Sequence, residues 1–248
     1  MNSEKQLSSS EASASDLGKD QATDTHQEGD LTTDDLPSRF VIAIDGWAHS
    51  GKNTLGERLA KILDCVLVDS GRFYRAFTKA CLNADLDVND EALVGRFCES
   101  ATLQIRLSQE NEDVTEIQVG INGQWFNKNE LKNIGVEVSK VARVSMVRQL
   151  VNKKLRACES YGRVIMLGRD IGSVVMPFAD YKYFLTAPEY VREERHRAST
   201  GQSGALARDR MDADRVAVSE DAIVIDTDEM TAQEVFGLVL INLAFTVS

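Results

Sequence analysis

Gly46-Trp47-Ala48-His49-Ser50-Gly51-Lys52 fits the spacing G-x-x-x-x-G-K. In such a loop the backbone N–H groups turn inward onto phosphate oxygens, and the helix that follows adds partial positive charge. Lys52 would reach the β- and γ-phosphates of a nucleoside triphosphate. The usual metal-binding hydroxyl directly after the lysine is replaced by Asn53. An amide oxygen is a poorer Mg²⁺ ligand than a hydroxyl, and Thr54, which follows immediately, is the candidate metal residue. His49 stands where many such loops have glycine, in a position where positive φ strains a side chain. It reads as a loop residue near phosphate and not as a base.

The elements around this loop place it. Phe40 to Ile44 is a short, continuous apolar run ending at Asp45-Gly46, the signature of a buried parallel strand. Leu55, Leu59, Ile62 and Leu63 then recur at helical spacing. Val66 to Asp69 is a second strand, ending at Ser70-Gly71, and Tyr74, Phe77 and Ala80-Cys81 mark the next helix. Val164 to Leu167, Tyr181 to Leu185 and Ala222 to Asp226 are further strands. Val147, Leu150, Val151 and Leu155 share a helical face after Ser145. Thr231-x-x-Glu234 is a capping box before an apolar helix from Val235 to Leu243. Strands alternating with helices predict a parallel sheet wrapped by helices, with ligands outside the carboxyl ends of the strands. The polar residues after the first three of these parallel strands fall on that edge. Residues 84–144 read differently. Leu103 to Leu107 and Thr115 to Ile121 alternate like antiparallel strands, with Asn122-Gly123 as their hairpin turn, so an inserted mixed lobe is expected.

The 248 residues suit one domain, at a prior of about 100–200 residues each. Hydrophobic residues are 43% and charged residues 27%, ordinary for a globular chain. Lys and Arg number 28 against 39 Asp and Glu, a net charge of −11. That argues against broad binding to nucleic acid or an anionic membrane, and the basic residues form no stripe. Nine of the acidic residues, against Lys5 and Lys19, lie in residues 1–37, leaving about −4 for the rest. This Ser-, Thr- and acid-rich segment buries too little apolar area to offset its ordering entropy and is expected to be a disordered tail. No apolar run reaches about 18 residues. The N-terminus has neither a secretory h-region nor the basic character of a transit peptide, so a cytoplasmic location is expected. Cys65, Cys81, Cys98 and Cys158 are widely spaced and read as reduced, buried thiols.

Six motifs occur in order over about residues 39–245: Ala43 to Lys52; Asp69-Ser70-Gly71-Arg72-Phe73-Tyr74-Arg75-Ala76; Ser139-Lys140-Val141-Ala142; Gly168-Arg169-Asp170-Ile171-Gly172-Ser173-Val174-Val175; Arg208-Asp209 to Asp212 and Arg215; and Asp221 to Asp226. The set resembles bacterial cytidylate kinase, the (d)CMP kinase. The resemblance implies an α/β P-loop fold like that of adenylate kinase, an inserted nucleoside-monophosphate lobe matching residues 84–144, and a lid at about 192–208. It implies ATP and CMP or dCMP as substrates, Mg²⁺ with the ATP, no nucleic-acid or membrane partner, and a monomer.

Roles follow by position. Gly46 to Thr54 would hold the ATP phosphates. Ser70 and Arg75 match the acceptor motif, with Arg75 on the CMP phosphate. Ser139, Arg148 and Asp170 match residues around cytosine. Arg169 matches an arginine near the transferred phosphate, and Arg208, Asp212 and Arg215 a cluster on acceptor sugar and phosphate. Arg192 and Arg195 fall where the lid carries arginines. Lys52, Arg75, Arg169 and Arg215 are the catalytic candidates, since phosphoryl transfer is mostly positioning and charge stabilisation. Trp47, His49, Asn53 and the short connection between Arg197 and Arg208 depart from the family. That short lid predicts some ATP hydrolysis without acceptor. Two further readings stay open: a non-catalytic nucleotide-binding paralogue, and a P-loop kinase of another small acceptor.

Overall fold

The computed structural model describes residues 36–111, 113–132, 134–201 and 205–247. The acidic tail lies outside them, apart from Leu36 and Pro37. Leu36 is buried, and Arg163 donates to the carbonyls of Leu36 and Pro37 at 3.1 and 3.0 Å. In chain order the elements are β1 (Phe40–Gly46), α1 (Lys52–Leu63), β2 (Val66–Asp69), α2 (Ser70–Asn83), α3 (Glu91–Ser100), β3 (Leu103–Asn111), β4 (Val114–Ile121) and β5 (Gln124–Phe126). They continue with α4 (Lys128–Lys132), α5 (Glu137–Val141), α6 (Ser145–Ala157), β6 (Arg163–Gly168), β7 (Tyr181–Thr186), α7 (Glu189–Thr200), α8 (Ala205–Asp212), β8 (Ile223–Asp226) and α9 (Ala232–Val247).

One sheet runs β3-β4-β2-β6-β1-β7-β8, with β5 paired to β4. The strands β2, β6, β1, β7 and β8 are parallel, and the centre is sealed on both faces: every residue of β1 is buried. The expected α/β architecture is therefore present, and its reason is the one read from sequence. Continuous apolar strands need helices on both sides. Leu55, Leu59 and Leu63 of α1 and Phe73, Ala76 and Phe77 of α2 supply that cover. Gly56 lets α1 approach closely, since a Cβ there would lie 2.8 Å from Leu167 Cδ2. At α9 the capping box closes reciprocally. Thr231 N donates to Glu234 Oε2 at 2.7 Å and Glu234 N to Thr231 Oγ1 at 3.2 Å.

Two details of the 84–144 stretch differ from the sequence expectation. Asn122-Gly123 does turn a hairpin, at φ 53° and 82°, but it joins β4 to the short β5. The β3–β4 pair is closed between Asn111 and Val114. The stretch also enters the main sheet. Glu116 of β4 pairs in parallel with Leu67 of β2, and Ile117, Val119 and Phe126 share one core with Val41 and Phe73. The four cysteines are free and buried, and burial pushes Cys65, Cys81 and Cys158 up to about 12, as expected of inert thiols. No helix among the described residues is long and apolar enough to cross a membrane.

Gly46 is where the sheet meets the phosphate loop. Its φ is 145°, and a Cβ would sit 2.1 Å from the Leu185 carbonyl oxygen. Gly46→Ala is expected to remove about 3 kcal/mol or more of stability, a fall of about 1 M in the urea midpoint. A midpoint equal to that of the parent chain would contradict this.

Candidate active site

Two cavities open at the carboxyl ends of the parallel strands and share His49, Lys52 and Asn53 in their walls. The larger, about 470 Å³, is lined by residues His49 to Leu55 and by Leu185, Arg195, Thr227, Met230 and Val235. The smaller, about 190 Å³, takes in Ser70, Arg75, Ser139, Arg148, Arg169, Asp170, Asp212 and Arg215. The structure thus brings together eight of the residues read from sequence as acceptor-binding. The side chain of the ninth, Arg208 on α8, lies outside the described residues.

On the donor side, the loop turns at Gly46, at His49 (φ 58°) and at Gly51 (φ 101°), which caps α1. His49 tolerates the left-handed conformation, with its ring 4.6 Å from that of His196 on α7. Ser50 is fully buried, and its carbonyl accepts from Thr227 Oγ1 at 3.2 Å. Thr227 also receives Arg195, from Nη1 to Oγ1 at 2.9 Å and from Nη2 to the carbonyl at 2.6 Å. So the loop, the end of β8 and α7 are tied together. Asn53 and Thr54 are exposed in the wall of the larger cavity and offer a carbonyl and a hydroxyl oxygen. Among the described residues no cluster of three or more His, Cys, Asp or Glu could hold a metal. A hard divalent ion is matched by these oxygens together with phosphate oxygens, a set that suits Mg²⁺.

Lys52 donates to the carbonyl of Trp47. Desolvation and the charge of Arg169 push it down from 10.5 to about 7. A bound polyphosphate favours the charged lysine and raises it again. At pH 8 much of the free lysine is therefore neutral, and binding of a polyphosphate should take up protons. Apparent affinity should fall by about tenfold per pH unit above 7. Calorimetry in two buffers of different ionisation heat checks this, and binding without proton uptake at pH 8 would contradict it.

On the acceptor side, Asp69 caps α2 by accepting from Gly71 N at 2.8 Å. Arg75 folds back to 3.6 Å from Asp69, over Gly71, where a Cβ would crowd its Nη1 at 2.8 Å. Arg148 of α6 pairs with Asp170 at 2.6 Å. Arg169 reaches Asp209 at 2.9 Å and Asp212 at 3.2 Å, and Arg215 lies against Asp212. Ser139 of α5 is buried, and its Oγ has no hydrogen-bond partner among the described residues. Five basic side chains face three carboxylates across this cavity. Burial pushes Arg169 and Arg215 down to about 10, the charge of Arg148 adding to the effect at Arg215. A cavity so crowded with cations is matched to a polyanion.

The sequence reading assigned no role to several residues that shape the site. Asp45, buried at the end of β1, accepts from Ile171 N at 2.8 Å and Gly172 N at 2.7 Å, so the start of the glycine-rich loop and the Arg169-Asp170 turn hang on one carboxylate. Burial raises it to about 6. Tyr74 lines the smaller cavity. Asp209 gathers two arginines and a loop N–H. Asp45, Tyr74 and Asp209 all sit inside quoted motifs, but their partners are distant in sequence.

The family model described as cytidylate kinase matches residues 42–244. A cytidylate kinase of Clostridioides difficile is 34% identical over 218 residues, covering 79% of this chain and 94% of its own length. One from Chloroflexus aggregans is 35% identical over 215 residues, covering 81% and 92%. Among solved structures, a gluconokinase from Sinorhizobium meliloti 1021 aligns over 86% of this chain and 95% of its own. It does so at 11% identity and a TM-score of 0.49, too distant a likeness to bear on function.

Proposed function

The chain belongs to the cytidylate kinase family and is a nucleoside monophosphate kinase; on that footing we propose that it transfers the γ-phosphoryl group of ATP to CMP or dCMP. The products are ADP and CDP or dCDP, and the enzyme works as a cytoplasmic monomer. The observation that supports this most is the smaller cavity. A base-sized recess with the Arg148–Asp170 pair and the unpartnered Ser139 hydroxyl opens beside Arg75, Arg169 and Arg215, and Lys52 stands in the wall it shares with the donor cavity.

The chemistry follows from charge. Both substrates are polyanions whose approach is opposed. Guanidiniums that fork onto phosphate oxygens offset the repulsion and hold the in-line geometry. The bond from the γ-phosphorus to the bridging oxygen of ATP breaks, and a bond to an acceptor phosphate oxygen forms. That oxygen is already ionised at neutral pH, so no general base is needed. Arg75, Arg169, Arg215 and Lys52 neutralise the charge on the transferring group. Thr54, with the Asn53 amide oxygen beside it, would hold Mg²⁺ brought in with ATP, and the ion would supply charge neutralisation of the same kind.

Cytosine presents an amine donor that the Asp170 carboxylate accepts, and a ring nitrogen that Arg148 satisfies. Uracil reverses both polarities, and a mismatched buried pair can lower the rate by a factor of up to about 10⁴. An acceptor screen with ATP fixed and CMP, dCMP, UMP and AMP varied tests the assignment. CMP and dCMP should exceed UMP by at least about 10² in kcat/KM. Equal rates for CMP and UMP would overturn it. The arm without acceptor reads the hydrolysis expected of a short lid.

A further inference from the structure

Asp209 of α8 is 3% exposed. Its carboxylate collects donors from three separate parts of the fold: Arg169 Nη1 at the end of β6, at 2.9 Å; Ala48 N in the phosphate loop, at 3.3 Å; and the guanidinium of Arg192 on α7. Arg192 is 3% exposed as well. Its Nε donates to the Ala187 carbonyl at 3.0 Å and its Nη1 to the Ala48 carbonyl at 3.4 Å, while the guanidinium lies 5.4 Å from the centre of the Trp47 ring. Two buried guanidiniums gathered at one point repel each other, and a single carboxylate between them removes that repulsion. An ion pair needed only for stability would be complete with one arginine. This one joins an arginine of α7, an arginine of the acceptor cavity and the donor loop in one register.

We propose that Asp209 is a positioning residue for phosphoryl transfer, holding Arg169 and, through Arg192, the Ala48 turn of the phosphate loop in one register, so that the loop and the Arg169 guanidinium meet the transferring group together. The proposal rests on the transfer reaction assigned above. Asp209 acts through the two guanidiniums and the loop, from behind them. Ser139, Arg148 and Asp170, which face the base, are not among its contacts, so its loss should fall on turnover and spare CMP binding.

The test is steady-state kinetics with CMP and ATP on the full chain, Asp209→Asn, Arg192→Met and the double variant, with thermal midpoints recorded alongside. Each single variant should lower kcat by about 10²-fold, the scale of a misplaced reacting geometry, with KM for CMP changed by less than about threefold. The double variant should be within about threefold of the poorer single one, because both remove the same arrangement. Multiplying effects, or a loss confined to KM for CMP, would overturn the proposal. So would turnover by Arg192→Met within about twofold of the parent chain. That last arm decides the matter even where Asp209→Asn fails to fold, since Arg192→Met leaves Asp209 paired with Arg169. A parent chain with no CMP-dependent ADP formation is a distinct result. It would overturn the assigned reaction, and this proposal with it.

Discussion

Replacing Lys52 with methionine is expected to lower kcat for ADP formation by about 10³-fold or more while KM for CMP changes by only a few-fold. Lys52 stands in the wall between the two cavities, at the first turn of α1, where the loop N–H groups and the helix terminus already favour anions. Methionine has nearly the same length and fills the same space, so the charge is lost together with the hydrogen bond to the Trp47 carbonyl. That charge acts mainly as negative charge builds on the bridging oxygen that departs with the leaving diphosphate, which places the loss in kcat. The groups proposed to face the acceptor base, Ser139, Arg148 and Asp170, are on α5, α6 and the turn after β6 and are untouched. An equal loss in CMP affinity would mean that Lys52 supports the acceptor cavity structurally. An unchanged kcat would remove it from the transfer step.

Asp170→Asn is expected to lower kcat/KM for CMP by about 10²–10³ and to narrow the preference over UMP. Asp170 accepts from Arg148 at 2.6 Å and its side chain is mostly buried, so the pair is set before any base arrives. A carboxylate can only accept, which suits the exocyclic amine of cytosine. An asparagine can also donate, which suits the carbonyl at the same place on uracil. The substitution therefore weakens the correct match and eases the wrong one at once. It also leaves Arg148 short of its charge partner. A thermal midpoint measured beside the kinetics separates loss of fold from loss of reading. An unaltered ratio of CMP to UMP efficiency would show that Asp170 does not face the base.

Much of the fold around the phosphate loop is legible in the sequence alone. The apolar strand Phe40 to Ile44, the loop Gly46 to Lys52 and the helix after it are local in sequence, and each local preference agrees with the fold. The Thr231–Glu234 capping box is equally local. What escaped was set by pairing across distance. Asp209 meets the Ala48 N–H from 161 positions away, and Asp45 meets Ile171 N from 126. No spacing rule connects them. The hairpin at Asn122-Gly123 was visible as a turn, but which strands it joins depended on β5, a three-residue strand too short to show alternation. The β4 strand reached the main sheet through Glu116, a charged residue that sequence would place at the surface. In the structure it is buried against Arg72 at 2.7 Å.

The departures at Trp47, His49 and Asn53 gather around the same loop. Trp47 lies under Arg192, His49 lies beside His196, and Asn53 lines both cavities. Trp47 and His49 both face α7, so two of the three departures meet the same helix. A non-catalytic nucleotide-binding paralogue would also keep the acceptor cavity, and only turnover separates the two readings. The decisive measurement is ADP formation from ATP by the full chain, with and without CMP, across a Mg²⁺ titration. The account predicts strong CMP-dependent turnover at ordinary Mg²⁺, with Thr54 and Asn53 sufficient for the ion. Tight CMP binding without turnover at any Mg²⁺ concentration would contradict it, and would leave an acceptor site beside a phosphate loop that no longer transfers.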